Sequence, residues 1–487
     1  MQLSELLKDW PCIVKGSVRV QIEGIEDFSK QVKKNDLYVV RKGRKFNGED
    51  FVHEAVTNGA SAIVVDQESF LQWELPVPII WVPNCARFLA FASAKFYRFP
   101  SDALTFIAIT GTNGKTTVSH FIHQLLQVQN RSSLLIGTNG IFLNNERWIF
   151  EYESLTTPQA KDLQRIFHEA IQQSIEYVVI EASSAGLEQH RLDYCSIDLG
   201  VFLNLSAEHI EDHGSFKRYQ RAKERLATLA KKIVLNGEDA FCRSVGFMST
   251  KPKNVFSTAE PCDLQWGILS KEADCSICYI QMKDEKHVIE IPFPEYFQLQ
   301  NVMAAVTVLL QLGFPTNSIF PHLMALRLPE GRMQEIQNHL DIRIIIDFAH
   351  TPIALQAVLK DIDSERLVVV FSCGGERDQQ KRKKMGEIAS RYAHCIYLTT
   401  DNARSELPQT INAQIKEGFS SNQLYEEILN REEAIEQAIR QANQGDTIVI
   451  AGKGHERTQT IGGNTYEFSD VDTVLAVLKK IENEANT

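Results

Sequence analysis

The segment Gly111-Thr112-Asn113-Gly114-Lys115-Thr116-Thr117 constrains the fold of this chain more than any other. An apolar run at residues 104–109 precedes it and reads as a buried strand. Behind it, Val118, Phe121, Ile122, Leu125 and Leu126 fall at i, i+3, i+4, i+7 and i+8, the single apolar stripe of an amphipathic helix. A strand, a glycine turn and a helix in that order form a phosphate-binding loop. Its glycines let backbone N–H groups wrap an anion, and the helix start adds partial positive charge. Lys115 reaches terminal phosphates, and the Thr116 hydroxyl suits Mg2+. The common pattern has a glycine five residues before the second one. Ile109 stands there, so the loop is a shortened variant.

At 487 residues the chain predicts about three domains. Short apolar runs alternate with helix-period segments, which predicts α/β architecture with largely parallel sheets. Strands are expected at 37–40 and 62–65 in a first domain, 1–100. A second domain, 101–330, carries the phosphate loop and strands at 177–180, 199–205 and 233–235. In a third, 331–487, strands at 342–346, 367–371, 396–399 and 447–450 alternate with helices, the order of a doubly wound, Rossmann-like sheet. Lys and Arg total 51 against 62 Asp and Glu, a net charge of −11, which argues against nucleic-acid and anionic-membrane partners. Nine cysteines without framework spacing read as reduced thiols, and Cys275-x-x-Cys278 lacks the second pair of a zinc site. Glu5, Lys8 and Asp9 break any signal-peptide core, and no apolar stretch is long enough to span a membrane, so a cytoplasmic location is expected.

Further candidates lie just past strands. Glu181-Ala182-Ser183-Ser184 ends one, where α/β sheets place their ligands and where a carboxylate can hold a hard cation. His209 stands among Glu208, Glu211 and Asp212. Spacing alone makes Lys223 a solvated helix lysine, beside Lys217, Arg218, Arg221 and Arg225.

These motifs together resemble the Mur ligases, ATP-dependent amide-forming enzymes of peptidoglycan precursor synthesis, over nearly the whole chain. The resemblance implies ATP as co-substrate and Mg2+ held by Thr116, Glu181 and His209. Tyr219-Gln220-Arg221-Ala222-Lys223 matches a segment whose lysine is carbamylated, which makes Lys223 catalytic beside Lys115, Glu181 and His209. Asn301, Arg332, Asp347 and His350 would meet the nucleotide. Ser29, Thr156, Thr157, Ser184, Gln189, Arg191 and Lys223 would meet a UDP-linked muramoyl dipeptide. Arg377, Asp401, Asn402, Arg404, Gly452 and Glu456 would bind the amino acid. Asp401-Asn402-Ala403-Arg404 is close to the Asp-Asn-Pro-Arg signature of members that add meso-diaminopimelate. A guanidinium there can pair in bidentate fashion with the distal carboxylate of that amino acid. The implied reaction joins its amine to the D-glutamate γ-carboxylate of UDP-N-acetylmuramoyl-L-alanyl-D-glutamate through an acyl phosphate, in a monomeric enzyme.

The sequence also departs from the family pattern. Ala185 replaces a histidine, Glu208 and Glu211 replace aspartates, Gln298 an asparagine, Ala403 a proline and Leu407 an acidic residue. In the first domain only Ser29 fits the uridine motif, and Asn47-Gly48 replaces Asp-Gly. The residues therefore leave open a divergent ligase acting on another carboxylate, similar to folylpolyglutamate synthetase, and a nucleotide-binding scaffold without turnover.

Overall fold

The computed structural model describes residues 1–42, 48–153, 155–206, 208, 213–283, 285–362 and 364–485. Among them, the strands form sheets of five, eleven and six strands and one two-stranded hairpin. The architecture is three α/β domains in chain order, each built on one of the larger sheets.

In the N-terminal sheet, Gly24–Glu26, Asp36–Val39, Ala62–Val65 and Ile79–Trp81 run parallel, and Ile13–Lys15 closes the edge antiparallel. Helix Cys85–Phe96 packs Phe88, Leu89 and Ala92 against one face. The other face is covered by Val52, Ala55 and Phe70.

The central sheet has a parallel core. Thr105–Thr110, the strand that feeds the phosphate loop, lies between Leu199–Phe202 and Tyr177–Glu181. These strands are apolar on both faces because helices cover both. Helices Lys115–Val128 and Tyr296–Gln311 bury Val118, Phe121, Leu125, Val302 and Val306 on one side. Helices Ala160–Gln172, Phe216–Leu229 and Ala240–Met248 bury Leu163, Phe167, Leu226 and Val245 on the other. An antiparallel meander, Leu264–Lys271, Ser276–Met282 and Glu285–Ile291, extends one end of the sheet.

In the C-terminal sheet the order is Gln334–Ile336, Arg343–Asp347, Thr447–Ala451, Leu367–Phe371, Cys395–Leu398 and Leu424–Glu427. All but the first run parallel. Leu355, Met385 and Ile411 cover one face, and Ile435, Val474 and Leu478 the other. The sheet is doubly wound, and its loops at the C-terminal strand ends face the phosphate loop across a cleft.

One difference from the sequence reading bears on the site. The apolar stretch 199–205 suggested one strand, but pairing ends at Phe202. The chain then turns because Asn204 is tied to the phosphate loop. Its carbonyl accepts the Thr112 N–H at 3.0 Å, and its Oδ1 accepts the Asn113 N–H at 2.9 Å. No helix among the described residues is long and apolar enough to cross a membrane.

Candidate active site

A cavity of about 1100 Å³ lies where the phosphate loop, the ends of the central strands and the C-terminal domain meet. Thr112 to Thr117 line it. Gly114 has φ +87°, and a Cβ there would lie 2.6 Å from Asn301 Oδ1, so the turn needs glycine. Asn301 itself is buried behind the loop, held by Gln298 Oε1 at 3.0 Å.

Lys115 folds back on its own loop and donates to the carbonyls of Gly111 at 2.8 Å and Thr112 at 2.9 Å. Lys223, also facing the cavity, donates to the same Gly111 carbonyl at 2.7 Å. Burial and the neighbouring Lys115 charge push the Lys223 amine well below its ordinary pKa. A buried, neutral amine is the form that can accept CO2. The surface position suggested by its charged neighbours is wrong for this one residue, which is 1% exposed. Tyr219, one helical turn away, stands 3.0 Å from Thr112 Oγ1 and braces helix against loop.

Glu181 is 1% exposed at the end of its strand. Oε2 accepts from Thr116 Oγ1 and Thr138 Oγ1, each at 3.1 Å, and Oε1 from the Thr138 N–H at 2.8 Å. Thr138 was not singled out by the sequence. The signal was available: Gly137-Thr138 ends an apolar run at 134–136, another strand end on the same sheet edge. Glu208 lines the cavity too, and its Oε1 is buried without a hydrogen-bond partner among the described residues. Hydroxyl and carboxylate oxygens with an orphaned lone pair suit a hard divalent cation. His209, the other expected ligand, lies outside the described residues, as do Glu211, Asp212 and Asn47.

The C-terminal domain contributes Arg332, whose Nη2 donates to Thr116 Oγ1 at 3.3 Å and whose guanidinium lies 4.6 Å from the Phe348 ring centroid. His350 lines the cavity. Asp347 does not. Its carboxylate accepts the Met333 N–H at 2.8 Å and the Ala349 N–H at 2.7 Å, and so fixes the segment bearing Arg332.

Arg377, Asp401, Asn402, Arg404, Gly452 and Glu456 all line the same cavity. Arg404 Nη1 donates to the Gly375 carbonyl at 2.6 Å, and Asn402 Nδ2 to Glu456 Oε2 at 2.8 Å. Burial, followed by the Arg377 charge, lowers the Arg404 pKa, so the two guanidinium groups share a region that favours an anion. Behind them Arg382, fully buried, pairs with both Glu406 oxygens at 2.8 and 2.9 Å.

On the other flank, Thr156, Ser184, Gln189 and Arg191 line the cavity. Thr157 does not. Its hydroxyl donates to the Glu181 carbonyl at 2.7 Å and accepts the Ser183 N–H at 2.9 Å, which supports the strand end. Burial lowers the Arg191 pKa to about 10. Ser29 lies in a second cavity of about 1070 Å³ in the N-terminal domain, with its hydroxyl on Glu54. Arg41, Glu153 and Gln159 line both cavities and join them, and Arg41 is another residue the sequence did not single out.

A lysine-bearing phosphate loop facing the strand ends of a second, doubly wound sheet is a nucleotide-type site, and the relatives that this chain matches make it an ATP-dependent ligase that forms C–N bonds. The chain belongs to the Mur ligase family. Models of the Mur ligase middle domain, the Mur ligase glutamate ligase domain and the Mur ligase family catalytic domain match residues 109–309, 331–454 and 21–97. It is 34% identical over 483 residues, 98% of this chain and all of the relative, to UDP-N-acetylmuramoyl-L-alanyl-D-glutamate–2,6-diaminopimelate ligase 2 of Clostridium acetobutylicum. It is 36% identical over 492 residues, 99% of this chain and all of the relative, to the ligase of the same name from Caldanaerobacter subterraneus subsp. tengcongensis. A solved structure of a ligase of that name superposes with a TM-score of 0.66 at 31% identity, covering 95% of each chain.

Proposed function

We propose that this chain joins meso-diaminopimelate to the D-glutamate γ-carboxylate of UDP-N-acetylmuramoyl-L-alanyl-D-glutamate, with ATP converted to ADP and phosphate. The observation that carries this reading is the single cavity running from Lys115 to Arg404. An activated acyl group made at one end can meet an amine held at the other without crossing solvent. The names of the relatives supply the particular substrates.

In this reading the donor enters along Thr156, Ser184, Gln189 and Arg191, with its uridine end toward Ser29 in the N-terminal cavity. Its carboxylate attacks the γ-phosphate of ATP. A carboxyl O–P bond forms, the bond to ADP breaks, and Lys115 moves from the Gly111 carbonyl to the phosphates. Thr116, Glu181 and His209 would hold Mg2+, which supplies positive charge for the phosphates. Lys223, as a carbamate, would add an anionic group beside them. Arg332 and His350 meet the nucleotide from the C-terminal side. Asp401, Asn402, Gly452 and Glu456 receive an amino group, and Arg377 and Arg404 a carboxylate. The amine then attacks the acyl carbon and phosphate leaves. The domain division at 100 and 330, a monomeric state and a cytoplasmic location belong to the same reading, and the nine cysteines are all free.

The test is phosphate release from ATP with UDP-N-acetylmuramoyl-dipeptide and one amino acid at a time. The expected result is turnover with diaminopimelate and little with lysine. Turnover only with a different acid acceptor would replace the reading.

A further inference from the structure

Lys453 has no place in the chemistry above, and its setting calls for an explanation. Its side chain is 0% exposed. A buried ammonium group is stable only where acceptors replace its water. Lys453 Nζ lies 2.9 Å from Glu456 Oε2, donates to the Thr458 carbonyl at 2.7 Å, and stands 3.5 Å from Asn402 Oδ1. The Asn402 amide is oriented independently. Its Oδ1 accepts the Thr460 N–H at 2.9 Å, so its Nδ2 must point the other way, and it donates to Glu456 Oε2 at 2.8 Å. Two donors therefore converge on one oxygen of Glu456. For the other oxygen, Oε1, no hydrogen bond is seen among the described residues. Asn402 and Glu456 line the cavity, whereas Lys453 lies behind them. Gly452 completes the wall: its φ is +114°, and a Cβ there would lie 2.7 Å from Asp401 Oδ2.

We propose that Lys453 is a positioning residue: from behind the cavity wall it holds Asn402 and Glu456, the latter already read as receiving an amino group, in the pose on which discrimination for a distal ammonium group depends. This rests on the reading that the cavity takes a diamino acid. A carboxylate fixed by two donors loses little freedom on binding, and a charge-assisted hydrogen bond to one ammonium is directional. A lysine that merely strapped the loop to the Thr458–Ile461 strand would affect every amine alike.

The experiment compares diaminopimelate with 2-aminopimelate, which keeps the reacting amine and both carboxylates but lacks the distal amino group. Wild-type enzyme with ATP and the UDP-linked donor is expected to favour diaminopimelate by at least about 10-fold in kcat/KM. Lys453→Met should remove most of that preference through KM, with kcat nearly kept, while Lys453→Arg retains it; Glu456→Gln, at the residue that meets the ligand, should abolish the preference outright. Lys453→Gln carries the same two outcomes if Lys453→Met is too unstable to purify. An equal loss on both amines in the Lys453 variants overturns the proposal. If the wild type uses neither amine, the diamino-acid reading fails, and crystal structures of the wild type and the variant decide the rest. A Glu456 carboxylate that swings off Asn402 in the variant supports the positioning role, and one that stays in place overturns it.

Discussion

Burial and the Lys115 charge disfavour the ammonium form of Lys223, and this has a measurable pH signature. The folded-state pKa lies well below the ordinary lysine value of 10.5. Between those two values the unfolded chain holds a proton that the folded chain lacks, so stability rises with pH through that window. Lys223→Met removes the penalty, and the Gly111 carbonyl keeps Lys115 as a donor. The variant should therefore melt higher than wild type near about pH 7, and the gain should shrink toward about pH 10. Its turnover should collapse. A melting series across pH with a parallel phosphate-release assay checks both, and a lower melting point near neutrality would contradict a buried neutral amine. Lys115→Ala should lower turnover by at least ~100–1000-fold, as removal of a charge-stabilising group does. For Arg404→Ala, kcat/KM should fall far more for diaminopimelate than for lysine, which lacks the distal carboxylate. Equal losses would remove Arg404 from specificity.

Loops and strand ends carry the site, and they depend on close packing. Gly331 has φ +71°, and a Cβ there would lie 2.1 Å from the backbone nitrogen of His455. Gly331→Ala should destabilise the C-terminal domain by about 1–3 kcal/mol or more, read by denaturant titration, and should weaken ATP binding because Arg332 follows directly. The Arg382–Glu406 pair holds the Cys373–Arg377 and Asp401–Arg404 loops together, with the Glu376 N–H also on Glu406. Glu406→Gln leaves a buried guanidinium without its counter-charge. It should cost up to about 3–5 kcal/mol and raise the amino-acid KM. Much of this level was legible in the sequence. The strands at Ala62–Val65 and Leu367–Phe371 have the expected limits because each is a short apolar run buried on both faces. Strands Leu264–Lys271, Ser276–Met282 and Glu285–Ile291 escaped because they are half-exposed and carry interspersed polar residues. The phosphate loop and Glu181 were legible because each sits in a local pattern, whereas the charges around Lys223 pointed to solvent and only the family resemblance singled it out. Thr138 carried a readable strand-end signal, but Arg41, the Asn204 clamp and the Arg382 pair did not, because their partners lie far away in sequence.

Across the whole molecule, Arg332 of the C-terminal domain touches Thr116 of the phosphate loop, and on the proposed reading this makes nucleotide binding a joint act of the central and C-terminal domains. A non-hydrolysable ATP analogue should therefore protect backbone amides at 111–117 and 330–352 together from hydrogen exchange. The N-terminal sheet should be unchanged until the UDP-linked donor is added. Protection confined to the central domain would remove the C-terminal residues from the nucleotide site. The bonds that Glu181 makes with Thr116 and Thr138 also bear on metal removal. These groups satisfy one another within the protein, so chelation of Mg2+ should stop phosphate release yet leave the melting temperature nearly unchanged.

One carbonyl, that of Gly111, receives the amines of both Lys115 and Lys223. Neither lysine can then be studied as an independent part. When an incoming phosphate draws Lys115 away, Lys223 inherits an undivided acceptor and loses its nearest repelling neighbour, so its appetite for a proton changes at that moment. On the proposed reading, carbon dioxide capture at one amine and triphosphate occupancy at the other would thereby be linked, and a double-mutant cycle on the two should show strong non-additivity.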